Sequence, residues 1–190
     1  MKRTIHVKPA APQYSVITNI TFAQTDAWFG HTTQDLRMDL IYPEDTAHDY
    51  PCIVWICGGA WLSIDKSAHL AYLSELARAG FVVASVQYRT SNEAKFPAQL
   101  CDVKAAIRYL RAHAARYHID EAHSWGEWEN QAGGYLTCMA ALCDDPAYEW
   151  ENIFLIPAKC RQRAHGILRQ TSEVFYTKTR NSVQHPQSHC

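Results

Sequence analysis

The sequence predicts an α/β protein, a three-layer and mostly parallel sheet with helices on its faces, incomplete at the C-terminus. Three observations carry that class. Pro51-Cys52-Ile53-Val54-Trp55-Ile56-Cys57 and Phe81-Val82-Val83-Ala84-Ser85-Val86-Gln87-Tyr88 are short apolar runs bounded by Pro or Gly, the mark of strands buried on both faces. Between them, residues 66–79 place Leu70, Leu73, Leu76 and Ala77 on one helical stripe, with Gly80 beyond as a left-handed C-cap. Strand, helix and strand of this length predict a right-handed parallel crossover, so the two strands should be neighbours in one sheet.

The other elements follow in order. Residues 14–22 and 36–42 are rich in β-branched and aromatic side chains and partly alternate, which predicts two strands, the second ended by Pro43. Trp28-Phe29-Gly30-His31 lies between them as a turn, and the pair fits an antiparallel sheet edge. Pro97 opens a long helix reaching about Tyr117, with Leu100, Val103, Ile107, Leu110 and Ala114 on the buried stripe and Arg108 and Arg111 on the solvent side. A further buried strand should follow, yet residues 121–128 hold no β-branched run, so that strand is expected to be missing or spoiled. From Gly134 the helical pattern returns with Leu136, Met139, Ala140 and Leu142. Residues 1–150 thus make one partial domain. Residues 151–190 read as an irregular or disordered tail, being aperiodic at 159–169 and almost wholly polar after 177.

At 190 residues and 47% hydrophobic, the chain has material for one core and is short for its class. A net charge of −1 gives no long-range field for nucleic acid or anionic lipid, which leaves a small molecule as the expected ligand. The N-terminus has two positive charges but no sustained apolar run like the core of a secretory signal, and no stretch is long enough to span a membrane. The seven cysteines (Cys52, Cys57, Cys101, Cys138, Cys143, Cys160, Cys190) are odd in number and form no C-x-x-C pair. They read as small buried hydrophobes in a reducing cytoplasm, so no metal, cofactor or disulfide framework is expected.

Two stretches carry chemistry. Cys57-Gly58-Gly59-Ala60-Trp61 follows a buried strand, and paired glycines let a backbone turn tightly and aim N–H groups at a developing oxyanion. Alone, the glycine pair is equally a strand-to-loop turn with no catalytic part. The second stretch, residues 125–136, reads as a damaged nucleophile elbow, the strand–G-x-S-x-G–helix turn that lifts a serine hydroxyl clear of a sheet. Ala132-Gly133-Gly134 supplies its second half, but Glu129 stands at the first glycine and Gln131 at the serine. A carboxamide has no O–H for a base to strip, so Gln131 is not a competent nucleophile. Ser124 lies before the turn without flanking glycines and reads as a capping or solvated serine. His165, His185 and His189 sit in aperiodic tail sequence, and Asp102 reads as a member of an ordinary helix ion pair.

With these motifs, and with Asp65-Lys66-Ser67, Val86-Gln87-Tyr88-Arg89, Phe96-Pro97-Ala98-Gln99-Leu100 and the run from Asp102 to Leu110, residues 51–145 resemble the feruloyl and acetyl-xylan esterase-like branch of the α/β-hydrolase superfamily. The resemblance covers about half the chain. It implies serine ester hydrolysis through an acyl-enzyme, with oxyanion donors falling on Gly59, Ala60 and Ala132, and Cys57 standing where a histidine is commoner. The chain departs from the pattern at the lost serine, the spoiled strand and a tail without the strands that bring the family's aspartate and histidine. The genetic code permits one explanation for these departures. Codons for Trp128-Glu129-Asn130-Gln131, read from the third base of the first, can spell Gly-Glu-Ser, and Ala164-His165-Gly166-Ile167 with the same offset can spell Ala-Trp-Tyr, which resembles the family's next strand. Local frameshifts would then have scrambled the strand before the elbow and the chain after about Trp150. The expected function is an esterase lineage acting on small carboxylic (acyl or feruloyl) esters and inactive as written. The alternative is a non-enzymatic pseudohydrolase that binds a small ligand or a protein partner. A Rossmann-type oxidoreductase is disfavoured because Gly58-Gly59 lacks the G-x-G-x-x-G spacing.

Overall fold

The computed structural model describes residues 13–120, the backbone of 125–129, residues 132–143 and Tyr148. Five strands form one sheet: β1 (Tyr14–Ala27), β2 (Thr32–Pro43), β3 (Cys52–Ile56), β4 (Val82–Val86) and β5 (Trp125–Glu129), in the spatial order β1-β2-β4-β3-β5. β1 with β2 and β2 with β4 pair antiparallel, whereas β3 pairs parallel with both β4 and β5. The sheet is therefore mixed, with the antiparallel edge expected of the opening strands, and the two central apolar runs are parallel neighbours.

Alternation along β3 and β4 builds a core on each face. Val54, Ile56, Val82, Ala84 and Val86 point to one side, where α2 (Ala98–Ala112) and α3 (Ala132–Leu142) cover them with Leu100, Val103, Ile107, Leu136 and Ala140. Trp55, Val83 and Ile41 point to the other, against Leu73 and Ala77 of α1 (Leu70–Arg78). Helices on both faces make the three layers.

Four expectations change. The strand expected to be missing is present as β5, in register with β3 from Cys52↔Trp125 to Ile56↔Glu129. Strand formation here is set by the open hydrogen-bonding edge of β3 rather than by β-branched side chains, because β propensity yields to context. Helix α1 begins at Leu70 and not at residue 66. Asp65 instead closes a turn by accepting the Ser67 N–H at 2.9 Å, and the side chains of Lys66 and Ser67 are held by Asp39. Helix α2 ends at Ala112, where His113 Nδ1 donates to the Tyr109 carbonyl at 2.8 Å, and a 3-10 turn (Ala114–Tyr117) completes the run. Arg108, expected in solvent, is 4% exposed, because α2 packs on the sheet beside α3 and is buried along nearly its whole length. Of the cysteines, Cys52, Cys57 and Cys101 are buried as expected, Cys138 is exposed and Cys143 intermediate, and Cys160 and Cys190 lie outside the described residues.

Candidate active site

The turn that leaves β3 is built from strained backbone. Ala60 and Trp61 both adopt left-handed φ angles, 51° and 68°. The Gly59 carbonyl accepts N–H groups from Leu62 at 3.0 Å and Ser63 at 3.2 Å, which curls the chain back on itself. A Cβ on Gly59 would collide with the Ser63 carbonyl, so the second glycine is required by space. The N–H groups of Gly59 and Ala60 have no hydrogen-bond partner among the described residues. Tyr88, 1% exposed, fixes the base of the turn by donating its hydroxyl to the Cys57 carbonyl at 2.8 Å, and the Ser91 N–H bonds the Trp61 carbonyl at 2.8 Å.

Beyond β5, helix α3 begins at Ala132, two residues before the sequence pattern places the helix. The first N–H groups of any α-helix lack intrahelical partners, so Ala132 brings open donors to this end of the sheet. Because β3 and β5 are adjacent and parallel, both turns emerge at the same edge. Trp61 meets Tyr135 of α3 edge-to-face at 5.7 Å, and Phe96 flanks the same tyrosine at 6.4 Å. The structure thus brings Gly59, Ala60 and Ala132 to one edge. Gln131, Ser124, His165, His185 and His189 lie outside the described residues.

Two buried carboxylates hold this edge in place. Asp102 is 1% exposed and takes a fork from Arg89, with Nε to Oδ2 at 2.9 Å and Nη2 to Oδ1 at 2.7 Å, and also accepts the Arg89 backbone N–H at 2.9 Å. Burial pushes its carboxyl up and Arg89 pulls against that, while the pairing ties the exit of β4 to the first turn of α2. The expected ordinary helix pair is therefore corrected: Asp102 faces inward and its partner lies outside its own helix. Asp39 on β2, also 1% exposed, accepts from Lys66 Nζ at 2.6 Å, Ser67 Oγ at 2.8 Å and the Asn19 N–H at 2.9 Å. Burial pushes its carboxyl up, but these donors outweigh it and hold the group below the usual carboxylate range. The segment after the Gly59 turn is thereby anchored to the far side of the sheet. The signal for Asp39 was available, since it is an acid set among the apolar residues Met38, Leu40 and Ile41 of the strand.

Cys57 points to the α1 face, with Sγ 3.9 Å from His69 Nδ1, and burial pushes its thiol up, so it rests protonated. Among the described residues no cluster of three or more His, Cys, Asp or Glu is placed to hold a metal ion, and no helix is long and apolar enough to cross a membrane.

A mixed sheet sandwiched by helices, with a glycine turn after one strand and a helix-opening turn after its parallel neighbour, is the scaffold of an α/β-hydrolase-type esterase. The chain belongs to the BD-FAE family, whose profile matches residues 38–164, beginning upstream of Pro51 and running past Asp145. It is 33% identical over 103 residues to Esterase LipC of Mycobacterium tuberculosis, covering 53% of this chain and 25% of LipC. Among solved structures it is similar to a truncated form of a carbohydrate esterase from gut microbiota (37% identity, TM-score 0.57, 70% of this chain and 45% of that one). It is also similar to Thermogutta terrifontis esterase 2 phosphonylated by cyclosarin (26% identity, TM-score 0.61, 76% and 52%). The chain spans a quarter to about half of the length of these relatives.

Proposed function

We propose that this protein is a carboxylic ester hydrolase by lineage, suited to small acyl or feruloyl esters, and that the chain as written does not complete the reaction. The observation that carries the reading is the meeting of two donor turns at one sheet edge, joined by the Trp61–Tyr135 contact. In such a site an ester carbonyl oxygen would lie among the N–H groups of Gly59, Ala60 and Ala132, which take up the negative charge as a nucleophile adds to the carbonyl carbon. Gln131 occupies the nucleophile position and offers a carboxamide, which neither ionises nor forms an acyl-enzyme. Binding and oxyanion stabilisation survive in this reading, and acylation does not. The ligand is a small molecule in a cytoplasmic setting, with no cofactor, metal, nucleic acid or membrane taking part.

The full chain is expected to hydrolyse a short acyl nitrophenyl ester no faster than buffer and to take up no fluorophosphonate probe at any serine, whereas labelling of one serine overturns the reading. The lost O–H also supports a pseudohydrolase that binds a ligand or partner. Nucleotide sequence around the Trp128 codon separates the two: a homopolymer slip marks a broken enzyme, and unbroken codon usage marks a protein maintained without catalysis.

A further inference from the structure

A cavity of about 390 Å³ lies at the opposite end of the sheet from the Gly59 turn. Tyr50, just before β3, exchanges backbone hydrogen bonds with this region, its N–H to the His118 carbonyl at 2.8 Å and its carbonyl from the Asp120 N–H at 2.9 Å. The length of β3, roughly 17 Å, therefore separates the cavity from the Gly59 turn. Nothing in the ester reading uses it.

One wall is aromatic. Tyr109 and Tyr117 are 8% and 6% exposed, their hydroxyl oxygens lie 3.4 Å apart, and Tyr42 adds a third ring. Burial pushes the Tyr117 hydroxyl up to about 12, so it keeps its proton to donate at any ordinary pH. The facing wall is β1 at a break in its register between Ile17 and Ile20, where Asn19 takes a left-handed φ of 59° with its N–H turned inward to Asp39. Strained residues and bulges collect where a strand has been reshaped around a site.

The charge at the cavity is one-sided. Arg116 stands 5.5 Å over the Tyr117 ring and forms no ion pair with any described residue. His118 lines the cavity beside it, with Nδ1 3.8 Å from an exposed Asp49 carboxylate that is not itself a lining residue. No Asp or Glu is among the described lining residues, and the nearby Asp39 is neutralised by Lys66. A guanidinium fork and phenol hydroxyls are donors matched to a carboxylate, and tyrosine faces and edges are matched to a flat ring.

From this geometry we infer that the cavity is a binding site for a small aromatic carboxylate, its ring against Tyr109 and Tyr117 and its carboxylate on Arg116. The inference is independent of ester chemistry, since it invokes neither Gln131 nor the Gly59 turn. Titration calorimetry of the full chain with benzoate, benzamide and inorganic phosphate tests it. Benzoate is expected to saturate one site with a Kd below about 1 mM, and benzamide, of the same shape without the charge, to bind at least about tenfold more weakly. Arg116→Gln, at an exposed position and with its fold checked by circular dichroism, should weaken benzoate about tenfold or more. Thr18→Trp, on the exposed rim, should abolish saturation by filling the cavity. Absence of saturable benzoate binding, equal affinity in Arg116→Gln, or phosphate competing as well as benzoate, which would mark an adventitious anion site, each overturns the inference.

Discussion

The turn after β3 and the turn after β5 emerge at one edge of the sheet, yet they differ in what a change of sequence costs them. The first presents backbone N–H groups, which every residue but proline supplies, so its shape does not depend on the side chain at position 57. Its demands are steric: a glycine at 59, and tolerance of left-handed φ at 60 and 61. The second, on the function proposed above, would need a side-chain oxygen at position 131, where the sequence has a carboxamide, while β5 and α3 form on either side of it. Scaffold and reactivity are separable because they reside in different atoms of the same turn.

The largest expected effect tests that separation directly. On the proposed function, Gln131→Ser alone should leave turnover of a short acyl nitrophenyl ester at background, because Glu129 and Asn130 still stand in sequence where the elbow wants small residues and the chain as written supplies no base for the hydroxyl. A chain with the alternative frame restored from residue 121 to 131 and from 150 onward should gain several orders of magnitude, up to the roughly million-fold that separates an intact triad from one lacking its nucleophile. Equal rates from the two proteins would show that the tail contributes neither acid nor base.

Next in size is the pair that fixes the edge. Asp102→Ala strands the buried Arg89 guanidinium and should cost about 3–5 kcal/mol of stability by urea unfolding, as loss of one partner of a buried pair typically does. An exposed pair such as Arg78–Glu75 should contribute about 1 kcal/mol or less. A loss at Asp102 no larger than that would remove it from the framework of the site.

Within the first turn, adjacent substitutions should have opposite signs. Gly59→Ala drives a methyl into the Ser63 carbonyl and should destabilise by about 1–3 kcal/mol, the range for overpacking. Ala60→Gly relieves a left-handed alanine and should be neutral or stabilising by less than about 1 kcal/mol. Thermal melts of the two variants decide it, and a shift of the same sign in both would mean that backbone conformation does not govern this turn.

The smallest effect is a slope in pH. The folded Asp39 carboxyl is depressed below the ordinary carboxylate value, so its contribution is fully present above the unfolded value and is lost as pH falls through the folded one. Between about pH 5 and 3 the parent chain should therefore lose more stability than Asp39→Asn, whose contribution at this site does not titrate. Parallel pH profiles would show that Lys66, Ser67 and Asn19 do not favour the charged form.

Much of this molecule was legible before its structure. The runs at β3 and β4 and the stripe of Leu73 and Ala77 in α1 are local patterns whose period identifies the element and the buried face. The glycine pair after β3 marked the donor turn for the same reason, since its requirement lies within five residues. What misled was any position whose environment is supplied from elsewhere in the chain. Arg108 and Asp102 follow the helical period to polar positions, yet both are buried, and Asp102 is met there by Arg89 from the exit of β4.

By itself, then, the sequence determined the α/β class, the order of the central elements and the absence of a serine at position 131, because periodicity and residue identity are properties of neighbouring positions. Only the tertiary structure decided that residues 125–129 form a strand, that Asp39 anchors the segment after the Gly59 turn, and that Tyr109, Tyr117 and Arg116 surround a cavity. Each of those depends on a partner far away in the chain, and a hydrogen-bonding edge or a buried charge has no meaning until that partner is beside it.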